Sequence, residues 1–118
     1  MADVALHPGV TLRLYREEKV FGPGAAELLE LVREHSSLRA AAQSREMSYS
    51  KAWKVIKTAE QGLGYALLQS SVGGRNGGGA SLTPEAESLL TRYRAFEAES
   101  KRQIDELYRR YFEGEAQK

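Results

Sequence analysis

Three consecutive alanines, Ala40 to Ala42, constrain the fold of this chain more than any other feature of its sequence. They lie in a short helical stretch, "LRAAAQSRE", and Ser36 or Ser37 can cap its N-terminus. Because alanine side chains have almost no volume and protein interiors are close-packed, another element must approach this helix closely. The sequence therefore predicts a short helix in tight contact with a neighbour.

The segment after this stretch predicts a longer helix with a polar and basic beginning. Ser48 can cap its N-terminus. Gly62 and Gly64 can end it, beyond about Gln61. Its apolar face consists of Ala52, Ile56, Ala59 and Leu63. A short alanine-rich helix, a brief turn and a helix with a basic N-terminal face form the pattern of a helix-turn-helix.

The chain before this motif predicts a small hairpin and one more helix. Apolar and polar residues alternate in "VTLRLY", and "VF" after the charged "REEK" can return as a partner strand. The apolar residues on one face of the first strand are Val10, Leu12 and Leu14. Gly22 and Pro23 then start a helix that ends near His35, so the helix-turn-helix contains the second and third helices.

The stretch "VGGRNGGGAS", from Val72 to Ser81, contains five of the chain's 11 glycines. Its Asn76-Gly77 pair favours a tight hairpin turn, and short apolar stretches flank it. A phosphate-binding loop would continue with Gly-Lys-Ser or Gly-Lys-Thr, whereas Ala80 follows Gly79. Three helices followed by a hairpin describe a winged helix, with this loop as a glycine-rich wing.

The last helix is predicted to exceed the needs of one small domain. Thr83 as N-cap and Pro84 at the first helical position start it, and it continues to about Phe112. About 28 residues at 1.5 Å each span roughly 42 Å, and apolar positions recur along that length, so we expect pairing with a second copy of the chain. The expected dimerisation residues are Leu89, Tyr93, Phe96, Ile104, Leu107 and Tyr111.

These elements predict a mainly α fold with a small β component. The expected architecture is a winged helix-turn-helix with an N-terminal hairpin, a glycine-rich wing and a long C-terminal dimerisation helix. Two units are expected: residues 1–83 as the DNA-binding domain and residues 84–118 as the long linker and dimerisation helix.

Length and composition exclude several classes of protein. With 118 residues, 42% of them hydrophobic, and no apolar run near eighteen residues, the chain suits one compact soluble domain and not a membrane protein. The chain has no cysteine and no charged-then-apolar leader, so a cytoplasmic location is expected. His7 and His35 are too isolated for a metal site or a catalytic dyad. We therefore expect no enzyme activity and no cofactor.

The net charge of +1 conceals a basic middle segment. Between Ser36 and Thr83, six basic residues stand against two acidic ones, Glu46 and Glu60. The six are Arg39, Arg45, Lys51, Lys54, Lys57 and Arg75. A basic segment between near-neutral flanks is the electrostatic pattern of a nucleic-acid surface, although six against two is a modest excess.

The chain resembles the N-terminal DNA-binding domain of ModE-type molybdate-responsive regulators and, more distantly, that of LysR-type regulators. The resemblance covers "SSLRAAAQSREMSYSKAWKVIKTAEQGLGYALLQSSVGGRNGGGASLTPEAESLLTRYR". Its specific pieces are "MSYSKAW" in the third helix, "LGYALL" before the wing, "GG" then "GGGA" in the wing, and "LT" before the long helix. The resemblance implies a regulator that binds double-stranded DNA as a homodimer.

Some positions depart from the family pattern. The family usually has Gly in place of Ala86, Pro in place of Ala66, and often a Glu-Arg pair in place of Gln69 and Ser70. Fewer charges are therefore expected at the base of the wing. Full-length ModE-type regulators also carry C-terminal molybdate-binding domains, which are not part of residues 1–118. The resemblance thus carries over no molybdate site, and it leaves open a separate ligand-sensing protein as a partner.

The third helix and the wing carry the predicted DNA contacts. The predicted contact residues are Arg39, Ser48, Tyr49, Ser50, Lys51, Lys54, Lys57, Arg75 and Asn76. Sequence preference is expected from Tyr49 to Lys51, at the start of the helix that would enter the major groove. Lys54, Lys57 and Arg75 are expected to supply affinity that does not depend on sequence.

An alternative is a winged helix that binds protein, pairing with a separate molybdate-binding chain. The small positive charge favours this alternative. Trp53 lies one residue from the apolar stripe of the third helix and is expected to pack in or near the core.

Overall fold

The computed structural model describes residues 4–71 and 79–116 and has the element order of a winged helix. Its elements are β1 (Leu14–Tyr15), β2 (Lys19–Phe21), α1 (Pro23–His35), α2 (Leu38–Ser44), α3 (Tyr49–Leu63), β3 (Leu68–Ser71), β4 (Gly79–Leu82) and α4 (Pro84–Ala116). Strand β1 pairs antiparallel with β2, and β3 pairs antiparallel with β4. The predicted mainly helical fold with a small β component is confirmed.

Serine side chains begin both helices of the helix-turn-helix, as predicted. Ser37 Oγ accepts a hydrogen bond from the backbone N–H of Ala40 at 3.0 Å, and Ser48 Oγ accepts one from Lys51 at 3.1 Å. Helix α2 ends two residues before its predicted end. The reason is Glu46, whose φ of 56° lies in the left-handed region and makes the turn into α3.

The core lies where α1, α2, α3 and the first turns of α4 meet. The predicted close packing of the alanine-rich helix is confirmed, because Ala41, Ala42 and Ala52 are at most 1% exposed within one cluster. Phe21 packs edge-on against Tyr93, with ring centroids 5.1 Å apart. These contacts hold the third helix and the N-terminal hairpin in one packed unit.

The N-terminal hairpin docks on α3 through a glycine. Gly62 was predicted to follow the helix, but it lies inside α3, and Gly64, with φ 88°, ends that helix. A Cβ at Gly62 would lie 2.8 Å from Cγ1 of Val20 and closer still to its Cγ2. Arg16 Nε also donates a hydrogen bond to the carbonyl of Gly62. Helix α3 therefore needs glycine at this position so that β2 can approach it.

Strand β1 is shorter than the alternating pattern predicts. The alternation itself is confirmed, because Val10, Leu12 and Leu14 are half-buried and the residues between them are exposed. Only the last two residues of "VTLRLY" pair with β2. The backbone before them instead runs beside α4, where Tyr93 and Tyr108 donate hydrogen bonds to the carbonyls of Leu12 and Leu6.

Helix α4 extends past Phe112, which is its predicted end. The helix is kinked at this residue, where φ is −133° and ψ is 23°. The predicted dimerisation stripe divides in two. Leu89 and Tyr93 are 4% and 2% exposed and pack in this chain's own core, not on a surface that a second copy can reach. Phe96, Leu107 and Tyr111 are exposed, and Ile104 is half-buried.

Within the described residues, neither α4 nor another helix is apolar over a length that crosses a membrane.

A charged network fixes α4 against α1. The guanidinium of Arg94 donates two hydrogen bonds to Glu30, at 2.8 and 2.9 Å, and a third to Glu97 at 2.8 Å. The hydrogen bonds from Arg94 lower the pKa of Glu30. Arg33 on α1 adds an ion pair with Glu87 on α4 at 2.8 Å. These surface contacts add to the core packing of Leu89, Leu90 and Tyr93, which sets the direction of α4 relative to α1.

Replacing Gly62 by Ala should destabilise the protein, because the added Cβ pushes Val20 and the hairpin away from α3. We expect a loss of roughly 1–3 kcal/mol in the free energy of unfolding, the usual cost of overpacking. Urea denaturation followed by circular dichroism measures it. Gly9→Ala is the control, since no atom lies within 4 Å of a Cβ there. The loss should shrink in a Val20→Ala background, and an undiminished loss there would contradict the docking contact.

Candidate nucleic-acid interface

Helix α3 buries one face and exposes the opposite one. Its buried face is formed by Ala52, Ile56 and Ala59. With 3.6 residues per turn, the opposite face carries a polar and basic row. That outward row is Ser50, Lys54, Lys57 and Gln61, and all four residues are exposed. The third helix therefore presents hydrogen-bonding and cationic groups to solvent along its length.

Two further faces of α3 lie beside the two hairpins, β1–β2 and β3–β4. On one side, Lys51, Lys54, Val55 and Thr58 line a cleft beside β2 and the start of α1. On the other side, Tyr49, Trp53, Ile56, Lys57 and Glu60 line a groove beside β3 and β4, the described part of the wing. We call these the hairpin-side cleft and the wing-side groove. They have volumes of about 380 and 390 Å³ respectively.

The first turn of α3 is organised by contacts with α2 and by its own cap. Arg39 of α2 stacks on Tyr49, with its guanidinium carbon 4.3 Å from the ring centroid. Ser48 uses its hydroxyl to cap the helix, and its oxygen lies 3.5 Å from the hydroxyl oxygen of Ser50. The structure thus brings four predicted contact residues, Arg39 and Ser48 to Ser50, to one end of the helix.

The three lysines of α3 differ in their partners. Lys57 forms an ion pair with Glu60, with Nζ 3.1 Å from Oε1. Among residues 4–71 and 79–116, no carboxylate forms an ion pair with Lys51 or Lys54. Lys51 and Lys54 can therefore bind an anionic partner without first breaking an ion pair, whereas Lys57 must exchange one.

The prediction that Trp53 packs in or near the core is wrong. Its side chain is 48% exposed and borders the wing-side groove, and Lys57 Nζ lies 5.5 Å from its ring centroid. The core face of α3 is already filled by Ala52 and Ile56, and one step along a helix turns a side chain by about 100°. Trp53 and Tyr49, which is 39% exposed, therefore line the surface between the third helix and the wing.

Glu60 connects α3 to the wing, and sequence reasoning missed this role. Its Oε2 accepts hydrogen bonds from the backbone N–H groups of Leu67, at 2.8 Å, and Leu68, at 3.5 Å. Burial raises the pKa of Glu60, but the hydrogen bonds from Leu67, Lys57 and Leu68 and the charge of Lys57 outweigh burial and lower the pKa overall. The sequence signal that could have indicated this role is that Glu60 is one of only two acidic residues in the basic segment between Ser36 and Thr83.

The base of the wing is held by backbone pairing and by its neighbours. Strands β3 and β4 pair in register from Leu68 with Leu82 to Ser71 with Gly79. The N–H of Ala80 donates to the carbonyl of Ser36 at 3.0 Å, which ties β4 to the end of α1. The predicted wing-tip contacts, Arg75 and Asn76, lie outside the described residues.

The hairpin-side cleft contains two basic residues that sequence reasoning did not select. Arg13 and Lys19 line it together with Lys51 and Lys54. The alternation around Leu12 and Leu14 puts Arg13 on the exposed face of the first strand. Nothing in the sequence, however, places that strand beside α3, because the docking depends on a contact between residues far apart in the chain.

Comparisons with known proteins match this region. A profile of bacterial regulatory helix-turn-helix proteins of the lysR family matches residues 24–87. The chain is 35% identical over 71 residues to a transcriptional regulator ModE of Haemophilus influenzae, covering 60% of this chain and 28% of that protein. It is 35% identical over 83 residues to a molybdenum transport protein ModE of Azotobacter vinelandii, covering 70% of this chain and 31% of that protein.

A third relative is a molybdenum-pterin-binding protein MopB of Rhodobacter capsulatus. It is 35% identical over 77 residues, which are 65% of this chain and 28% of that protein. The matched region therefore spans less than a third of the length of each of these three relatives. The profile match, residues 24–87, contains all the predicted contact residues of α2, α3 and the wing, whereas Arg13 and Lys19 lie before its first residue.

Replacing Glu60 by Gln should destabilise the protein at neutral pH, because the amide is a weaker acceptor for Leu67 and Lys57 than the carboxylate. We expect a loss of roughly 1–3 kcal/mol in the free energy of unfolding. The folded-state pKa lies below the ordinary value of 4.5, so this stabilisation is present above pH 4.5 and is lost as the pH falls through the folded pKa.

Urea denaturation between pH 3 and 7 checks this expectation, with Glu106→Gln on the exposed part of α4 as the control. The difference in the free energy of unfolding between the wild type and Glu60→Gln should disappear at the acidic end of this pH range. A gap that is absent at neutral pH, or that stays constant over the whole range, would contradict the assigned role of the carboxylate.

Proposed function

The chain belongs to the lysR family of bacterial regulatory helix-turn-helix proteins, and from this premise we propose that it is a sequence-specific DNA-binding transcriptional regulator. In this proposal α3 enters the major groove of double-stranded DNA, as the second helix of a helix-turn-helix does. The observation that carries the proposal is the exposed outward row of α3, with Lys54 at its centre. A role on DNA places the protein beside the chromosome, in the cytoplasm, and assigns it no catalytic activity.

The start of α3 is the part that we propose reads base edges. Tyr49 and Ser50 offer hydroxyl groups there, and Lys51 offers an ammonium group, all of them exposed. Ammonium groups bind guanine acceptors in the major groove, and hydroxyl groups bind either donors or acceptors. Stacking of Arg39 on Tyr49 fixes the position of that ring. Tyr49, Ser50 and Lys51 are therefore our candidates for the residues that give preference for one DNA sequence.

Phosphate contacts are proposed for the remaining basic residues of the interface. Lys54 points outward, one turn beyond Ser50, where it can reach the backbone beside the groove. Lys57 must exchange its ion pair with Glu60 before it contacts a phosphate, so its contribution should be smaller. Arg75 and Asn76 at the wing tip remain proposed contacts to the flanking backbone or minor groove.

We also propose that the protein acts as a homodimer through α4. Beyond Tyr93, the last core residue of α4, the helix runs beside the N-terminal segment, where Tyr108 donates to the carbonyl of Leu6, and it carries exposed apolar side chains. The proposed interface residues are Phe96, Ile104, Leu107 and Tyr111. Paired readers of this type typically contact half-sites about 34 Å apart, and a long helix between two domains can set such a spacing.

Molybdenum appears in the names of two of the relatives described above. Since the chain matches less than a third of each, we assign any molybdenum-dependent step to a ligand-sensing protein or segment outside residues 1–118. The exposed Trp53 and Tyr49 beside the wing would suit a protein partner as well as DNA. A winged helix that binds protein is therefore the second candidate function.

Replacing Lys54 by Ala should weaken binding to unrelated duplexes by similar factors. The loss of one phosphate contact should reduce the slope of log affinity against log salt by about 0.9. Fluorescence anisotropy with labelled 25-base-pair duplexes, titrated between about 50 and 200 mM salt, measures this slope. Lys101→Ala, which removes an exposed lysine of α4, should leave the slope unchanged. An effect of Lys54→Ala on sequence preference alone would contradict the assigned role.

Replacing Leu107 by Glu should separate the proposed dimer, because it places a charge in the exposed apolar part of α4. Sedimentation equilibrium should give roughly twice the chain mass of 13.1 kDa for the wild type and the single-chain mass for Leu107→Glu. Ala98→Glu is a matched control, since it adds the same charge to an exposed position of α4 off the apolar stripe. A monomeric wild type would contradict the proposed dimer.

A further inference from the structure

The hairpin-side cleft has a cationic rim and an apolar floor. Arg13 and Lys19 lie on its hairpin side, and Lys51 and Lys54 lie on its α3 side. The floor is formed by Val20, Phe21, Pro23, Ala25 and Val55. No acidic residue lines the cleft among the described parts of the chain. Four cations around one opening produce a positive potential beside the start of the third helix.

The hairpin-side cleft and the wing-side groove lie on opposite sides of the same helix. With 3.6 residues per turn, the row of Lys51, Val55 and Thr58 is about half a turn away from the row of Tyr49, Trp53 and Glu60. The outward row with Lys54 lies between the two. A DNA major groove that accepts this outward row therefore meets the wing along one edge and the β1–β2 hairpin along the other.

The hairpin is held in place by packed contacts. Phe21 is 1% exposed, and Val20 fits against Gly62 of α3. The stem of Arg13 crosses the start of α1, where a Cβ on Gly22 would lie 3.3 Å from its Cγ. Arg13 and Lys19 themselves are exposed. They therefore line the cleft from a fixed base, opposite the side of α3 that carries Lys51.

Nearby carboxylates either lie outside the cleft lining or pair with other residues. Glu17 and Glu18 lie in the turn between β1 and β2 and do not line the cleft. Glu27, on the first part of α1, forms an ion pair with Arg45 at 2.9 Å. Among the described residues, no carboxylate forms an ion pair with Arg13 or Lys19. The hairpin therefore contributes two available cations to the surface around α3.

We propose that Arg13 and Lys19 bind DNA phosphates on the edge of the major groove opposite the wing, which makes the β1–β2 hairpin a second clamp on the duplex. The inference rests on the proposed DNA-binding function and extends it beyond the region that the family profile matches, residues 24–87. The major groove is about 12 Å wide, so a helix inside it has a phosphate backbone on each side. Contacts to both backbones fix the orientation of the helix, although they carry no sequence information.

The test compares the double variant Arg13→Ala/Lys19→Ala with the matched control Lys101→Ala/Arg109→Ala. Each removes one arginine and one lysine that are exposed, but the control removes them from α4. Affinity for a 25-base-pair duplex is measured by fluorescence anisotropy between 0.05 and 0.5 M salt. Thermal unfolding followed by circular dichroism establishes that both variants are folded.

Losing two phosphate contacts should reduce the slope of log affinity against log salt by about 1.8. If the affinities of the wild type and the double variant converge at 1 M salt, the affinity of the variant at 0.1 M salt should be roughly sixtyfold lower. The control should keep the wild-type slope. The charge-preserving variant Arg13→Lys/Lys19→Arg should also keep it, which separates loss of charge from damage to the hairpin.

Two negative results have different meanings. If the wild type binds DNA and Arg13→Ala/Lys19→Ala keeps its slope, the second clamp is refuted and the proposed function stands. If the wild type itself shows no salt-dependent binding to any duplex, the proposed function fails, and the second clamp fails with it. An equal loss of slope in the α4 control would also refute the clamp, because the effect would then be one of net charge alone.

Discussion

Close approach of helices through small side chains is the constraint on which this structure depends. Ala41 and Ala42 of α2 and Ala52 of α3 are buried in one cluster, so the two helices can pack with little side-chain volume between them. A larger side chain at any of these positions would push α3 outward. That packing sets how far the outward row with Lys54 stands above the domain, and hence how deeply it can enter a groove.

The C-terminal half of α3 carries the attachments of both hairpins. Glu60 accepts hydrogen bonds from the first residues of the wing, and Gly62 receives Val20 from the N-terminal hairpin. In the other half, Tyr49, Ser50, Lys51, Trp53 and Lys54 remain exposed for a partner. One helix therefore positions the wing, the hairpin and the proposed recognition surface together. This arrangement explains the presence in α3 of Glu60 and Gly62, which contact no proposed ligand.

Local features of this fold, and the close packing that the alanine run requires, could be predicted from the sequence, whereas the other tertiary contacts could not. Pro23 at the first position of α1 and the Ser48 cap of α3 are local signals, so the boundaries of α1 and the start of α3 were correct. The exposure of Trp53 depends on which neighbours already fill the core. The burial of Leu89 and Tyr93 depends on how far α4 runs along its own domain, and periodicity cannot distinguish that from a dimer stripe. The position of Arg13 beside α3 depends on the docking at Gly62, which is a long-range contact.

Selection of bound duplexes from a random pool tests the central claim most directly, that α3 and its flanks form a sequence-specific, dimeric DNA surface. The account predicts enrichment of a palindromic site with half-sites about one helical turn apart, bound with a salt slope of several units. An unenriched pool, with weak binding that salt does not change, would contradict the account and favour a protein partner for the surface around Trp53.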